Sequence, residues 1–182
     1  MPFIKTIAPA AAEGKLAELY AVIKRSRGFV ANVFQLQSLD SKLLQAHFDL
    51  FLATMESERG LSGLEREAIA VTVSAANECP YCLHHHADAL RREGGGEDLV
   101  EALIEGVEPG AEPKRLRRIV YFARKLTLLP NSMSKKDVTD LELAGLSDAE
   151  ILQTTQIAAY CNYVNRLAAG LGAEIERMKD EG

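Results

Sequence analysis

Three serine-led segments carry the reciprocal pattern that opens an α-helix. In Ser62-Gly63-Leu64-Glu65, Ser134 with Asp137, and Ser147 with Glu150, a hydroxyl can accept a first-turn amide. The carboxylate three residues on can reach back to the serine's own amide. Ser41 to Met55 adds a broad helical face through Leu43, Leu44, Ala46, Phe48, Leu50, Phe51, Leu52 and Ala53. The segment after Ser62 should run as helix to about Asn77. Its Val71-Thr72-Val73 core has strand character, but its length and flanking alanines favour helix. Pro113 suits a helix N1 position ahead of Arg115 to Leu129, and Pro130 stops that helix. Gly94-Gly95-Gly96 ends another, and Gly145 and Gly170 stand where left-handed C-caps are expected. No Asn-Gly or Asp-Gly hairpin turn separates alternating runs. The expectation is an all-α fold of seven to nine helices. With 182 residues, 47% of them apolar, one domain over residues 1–182 can bury its own core.

Charge and composition exclude several classes of function. Lys and Arg total 21 against 26 Asp and Glu, a net charge of −5 with no basic stripe, so a nucleic-acid partner is not expected. The longest weakly polar stretch, Ala68 to Ala76, is far too short to cross a bilayer. Met1-Pro2-Phe3-Ile4-Lys5 lacks the basic-then-apolar form of a secretory leader. Three cysteines make no paired framework, and the expected location is the reducing cytoplasm.

Chemistry concentrates in Asn77-Glu78-Cys79-Pro80-Tyr81-Cys82-Leu83-His84-His85-His86, which gathers two of three cysteines and three of four histidines. Proline is favoured at N1, so Cys79 should be an N-cap and Cys82 should lie in the first turn. The positive end of the helix dipole then favours thiolate. That contributes about 0.3–1 kcal/mol, occasionally ~2, or roughly 0.2–1.5 pK units, which alone leaves an ordinary thiol mostly protonated or about half ionised at neutral pH. A nearby base is needed. His86, four residues after Cys82, shares its face; His85 is a weaker candidate and His84 points away. If the helices before and after Asn77 pack antiparallel, Glu67 comes within reach of His86. Glu67, His86 and Cys82 then form an acid–base–nucleophile series.

Plainer readings stand beside this one. Glu67 could be a solvated acid favoured by the helix dipole. Cys79, Cys82 and His86 with one further ligand could hold zinc. The chain has no second CxxC or spaced histidine pair, however, and a lone CxxC in a cytosolic chain leans towards redox chemistry, with no resident metal or cofactor.

The spacing of Glu67, eleven residues, Cys79-Pro80-Tyr81-Cys82 and then His86 resembles the alkylhydroperoxidase D-like (carboxymuconolactone decarboxylase-like) superfamily, in particular its peroxidase-related branch. Leu143 to Asp148 and Asn162 to Ala168 resemble the C-terminal half of that family. One departure is Tyr81, which stands where the well-studied peroxidase has a second histidine. A tyrosine can hydrogen-bond there but does not act as a base at neutral pH. The resemblance implies a thiol-dependent peroxidase or disulfide reductase. Cys82 would be oxidised by a hydroperoxide, Cys79 would resolve it, and an external dithiol would reduce the disulfide, with the two cysteine roles open to exchange. It also implies a homo-oligomer, trimer or hexamer, with Tyr81 and His85 as auxiliary residues. A non-redox decarboxylase-like enzyme on the same scaffold and a zinc-stabilised interaction protein are the alternatives. Phe29, Val30, Val33, Phe34, Leu50, Phe51 and Met55 read foremost as core, and otherwise as an apolar pocket beside the site.

Overall fold

The computed structural model describes residues 1–57 and 60–176. Among these there are nine α-helices and no strand: α1 (Gly14–Arg27), α2 (Asn32–Gln35), α3 (Ser41–Met55), α4 (Gly63–Ala76), α5 (Pro80–Arg92), α6 (Glu97–Glu105), α7 (Lys114–Leu128), α8 (Lys135–Glu142) and α9 (Asp148–Leu171). All three capping boxes form, at the starts of α4, α8 and α9.

Helix α4 is the hub. It packs against α5, α6, α7, α9 and α3. Seven consecutive residues, Ala68 to Ser74, are buried. A helix enclosed on all sides has no polar face, which explains why Val71-Thr72-Val73 looked strand-like. On one side of α4, Ile69, Ala70 and Val73 join the main core with α1, α3 and α9. On the other, Ala68 and Val71 pack with Leu90 of α5, Leu99, Val100 and Leu103 of α6, and Leu116 and Val120 of α7. The α4–α5 hairpin spans both clusters, with Cys79, Tyr81 and Cys82 in the first and Ala87 and Leu90 in the second.

Helix α7 supplies cations to all three capping boxes. Arg115 donates from Nε to Glu65 and from Nη2 to Glu150, both at 2.6 Å, tying the start of α4 to the start of α9. Lys125 donates to Asp137 at 2.5 Å. The Ser147 amide and hydroxyl, with Arg115 beside them, hold Glu150 down at about 2. Lys125 and Ser134 hold Asp137 at a similar value.

Two boundaries differ from the sequence reading. Pro113 is the N-cap of α7 rather than its first residue. Gly170 lies inside α9, and Gly172, with φ +70°, makes the left-handed cap; Gly145, with φ +90°, does so after α8. No helix among the described residues is long and apolar enough to cross a membrane.

Candidate active site

The turn between α4 and α5 sets the positions of the two sulfurs. The Cys79 amide donates to Ser74 O at 2.9 Å, and Glu78 takes the left-handed conformation with φ +50°. That region costs a side-chain-bearing residue about 1–2 kcal/mol, and here it lets α5 double back within three residues. Cys79 is the N-cap and Pro80 the first helical residue, as the sequence indicated.

Antiparallel packing of α4 and α5 brings Glu67 to His86, with Nδ1 2.8 Å from Oε2. An ionised carboxylate only accepts, so the ring proton lies on Nδ1 and Nε2 is the basic nitrogen. His86 and Cys82 line one narrow cavity of about 70 Å³, walled by Val33, Phe34, Phe51, Tyr81, Tyr160 and Val164. Phe29 and Arg27 lie at the same cavity, and the Arg27 guanidinium sits 4.4 Å from the Phe51 ring centroid while pairing with Glu56 at 3.1 Å. Val33, Phe34 and Phe51 are core residues that also wall the pocket, and the partly exposed Phe29 lines it as well. Val30 and Met55 are core, and Leu50 is exposed.

The two sulfurs stand in different surroundings. Both are buried, at 4% and 2% exposure, and it is Cys82 that lines the cavity. Of the two thiols it is Cys79 that is drawn down, to about 6. The Cys82 thiol hydrogen-bonds it, and this outweighs burial; the first-turn amides of Cys82 and Tyr81 and the charge of His86 add to the effect. Donation to Cys79 and burial push Cys82 upward. The pair therefore shares one proton, with the negative charge resting mainly on Cys79.

Several partners were invisible to sequence reasoning. The Asn165 side chain hydrogen-bonds Cys82 and favours its thiolate. Asn165 also donates to Ser74 Oγ at 3.3 Å and accepts from Asn77 at 2.8 Å. Asn77 in turn accepts from Arg166 at 2.7 Å. Asn165 lies one helical turn after Cys161, a buried polar residue on the apolar stripe of α9, which is the signal that could have marked it. Cys161 is fully enclosed, and burial pushes its thiol up.

Tyr81 acts as an anchor. Its hydroxyl donates to Glu176 at 2.9 Å and accepts from the Val33 amide at 3.2 Å. Glu176 also takes the Asn32 amide at 2.6 Å and meets His85 Nε2 at 2.6 Å, at an angle closer to an ion contact than a directional hydrogen bond. Burial opposes ionisation of Glu176, yet these donors hold it at about 2. His84 is exposed and faces Asp88. Among the described residues, no three His, Cys, Asp or Glu side chains gather in a way that could hold a metal ion.

Beyond the cavity, His47 is buried on α3. Its Nδ1 lies 2.7 Å from Gln37 Nε2 and its Nε2 lies 2.9 Å from Tyr160 Oη. Burial lowers His47 to about 4, so the ring is neutral at pH 7.

Comparison with known proteins finds relatives of this fold. Residues 42–123 match the carboxymuconolactone decarboxylase family. Over 108 residues the chain is 32% identical to an alkyl hydroperoxide reductase of Mycobacterium tuberculosis; the match covers 59% of this chain but only 31% of that relative, so the chain spans about a third of its length. Among solved structures, an alkylhydroperoxidase AhpD core, a peroxidase-related protein from Ralstonia eutropha, is 26% identical with a TM-score of 0.86, covering 96% of this chain and 92% of the other. A peroxidase-related protein from Silicibacter is 28% identical with a TM-score of 0.82, covering 96% and 94%. The debrominase Bmp8, 21% identical with a TM-score of 0.78 over 96% and 92%, shares the fold. The chain thus has the helical fold of the alkylhydroperoxidase D-like proteins and carries, over residues 42–123, a match to the carboxymuconolactone decarboxylase family.

Proposed function

We propose that the chain is a thiol-dependent peroxidase that reduces hydroperoxides through Cys79 and Cys82, with electrons from an external dithiol. The observation that carries this reading is the Glu67–His86 pair at 2.8 Å, with His86 lining the same cavity as Cys82. Glu67 fixes the imidazole and leaves Nε2 to handle protons at the dithiol.

The shared proton lets either sulfur carry the charge. When it passes to Cys79, the Cys82 thiolate, stabilised by Asn165, attacks the terminal oxygen of ROOH. An S–O bond forms, the O–O bond breaks, and RO⁻ leaves; His86 Nε2, which took up the second thiol proton when the dithiol ionised, returns it to give ROH. Cys82 is now a sulfenic acid. The Cys79 sulfur attacks Cys82, forming the S–S bond and releasing water. The sum is two thiols and ROOH giving a disulfide, ROH and H₂O. An external dithiol then restores the pair by exchange. Tyr81 positions the first turn of α5 in this scheme, and His85, through Glu176, braces the wall. Homo-oligomeric assembly and a cytoplasmic location are part of the same proposal.

The test is a thiol count. Reduced protein treated with cumene hydroperoxide should lose two thiols, and Cys161→Ser should behave as wild type. An unchanged count in wild type overturns the reading.

A further inference from the structure

The hydrogen bonds behind the cavity have only one consistent direction. Gln37 Nε2 is 3.1 Å from the Val33 carbonyl, which can only accept, so this atom is the amide nitrogen and not the oxygen. The same nitrogen lies 2.7 Å from His47 Nδ1, which must therefore accept. A buried neutral ring that accepts at Nδ1 carries its proton on Nε2 and donates it to Tyr160 Oη at 2.9 Å. Tyr163 closes the series from the far side by donating to Gln37 Oε1 at 3.5 Å.

The Tyr160 oxygen is thus an acceptor towards His47, and its own proton is left over. No acceptor for that proton stands among the described residues, and Tyr160 lines the cavity that holds Cys82. The other hydroxyl on the wall, Tyr81, is already committed to Glu176. Burial keeps Tyr160 protonated at any pH near neutrality.

We infer that Tyr160 is a catalytic hydrogen-bond donor to the departing oxygen of the hydroperoxide, oriented by the Val33–Gln37–His47 series. This deepens the peroxidase reading and rests on it. As Cys82 attacks the terminal oxygen and the O–O bond breaks, charge grows on the alkoxy oxygen. A preorganised donor in a narrow apolar cavity stabilises that charge more than it stabilises the neutral peroxide. Tyr160 keeps its proton, and the one that ends on ROH comes from His86.

The role predicts a dependence on the leaving group. An alkyl hydroperoxide expels a strongly basic alkoxide and needs the donor, whereas peracetic acid expels acetate and hardly needs it. In Tyr160→Phe, the rate constant for thiol oxidation by tert-butyl hydroperoxide should fall at least about tenfold, while that for peracetic acid should change less than about threefold. Tyr160→Phe leaves the His47 donor buried without a partner, so the double variant His47→Leu/Tyr160→Phe, which removes both, should show the same selectivity. An equal loss on both oxidants in both variants, or no loss on either, overturns the assignment of Tyr160 while leaving the peroxidase reading intact. Wild-type thiols that resist both oxidants overturn the peroxidase reading itself.

Discussion

His86 Nδ1 and Glu67 Oε2 stand 2.8 Å apart across the α4–α5 hairpin, joining two residues 19 positions apart in the chain. The contact sets the tautomer as well as the position of the ring. Glu67→Gln keeps the shape but replaces an obligate acceptor with an amide that can present either atom. Hydroperoxide-driven thiol loss in this variant should slow by about 10- to 100-fold with the helical circular dichroism unchanged. A rate within a factor of two of wild type would remove Glu67 from the mechanism.

The dithiol should titrate as a pair. Thiolate absorbance in the ultraviolet should rise by one equivalent with a midpoint near 6, with no second step below pH 9, because Cys82 is held protonated against Cys79. Cys82→Ala deletes the donor that contributes most to the low value, so the midpoint should move up towards that of an ordinary cysteine. Two independent steps near 9 in wild type would show that the sulfurs do not share a proton.

Arg115 joins the first turns of α4 and α9 through Glu65 and Glu150. Arg115→Met should cost about 1–3 kcal/mol in urea unfolding, since two partly buried carboxylates lose a charged donor while keeping their serine caps. A change below a few tenths of a kcal/mol would mark the clamp as incidental.

His47 gives acid sensitivity above the carboxylate range. The folded protein holds this ring neutral to about 4, whereas the unfolded chain protonates it below its ordinary value of 6.5. Proton uptake therefore favours unfolding as pH drops from 6.5 to 4, by up to about 3 kcal/mol, and the effect levels off below 4. His47→Gln should flatten the stability profile in that window. Glu150 and Asp137, both held near 2, lose their contribution lower, as pH falls from about 4 towards 2. A His47→Gln profile parallel to wild type between pH 6.5 and 4 would contradict the buried neutral ring.

Glu78 tests the turn. Glycine occupies φ +50° without a Cβ penalty, offset in part by its greater freedom when unfolded, so Glu78→Gly should stabilise by a few tenths to about 1 kcal/mol. Destabilisation would mean that the turn is unstrained.

The sequence showed what local physics determines. Capping boxes need residues three apart, Pro80 marks a helix start, and His86 meets Glu67 because a tight turn folds one helix back along another. Contacts set by tertiary packing could not be read. Tyr160 meets His47 across 113 residues, and Tyr81 meets Glu176 across 95. Which sulfur faces the cavity depends on how α5 is rolled against α2, α3 and α9, and spacing within α5 does not carry that information. Gly170 misled for a related reason. Glycine is tolerated inside a long packed helix, and the left-handed cap formed two residues later, at Gly172.

One hydrogen held between two sulfurs also fixes how the couple responds to acidity. Above about pH 6 the reduced form already carries a negative charge, so closing the S–S bond sends two electrons out with a single H⁺. The midpoint potential should then drift by about 30 mV per pH unit, half the slope of a fully protonated dithiol, so the driving force for re-reduction by such an external dithiol should grow by about 30 mV per pH unit as the surroundings turn alkaline.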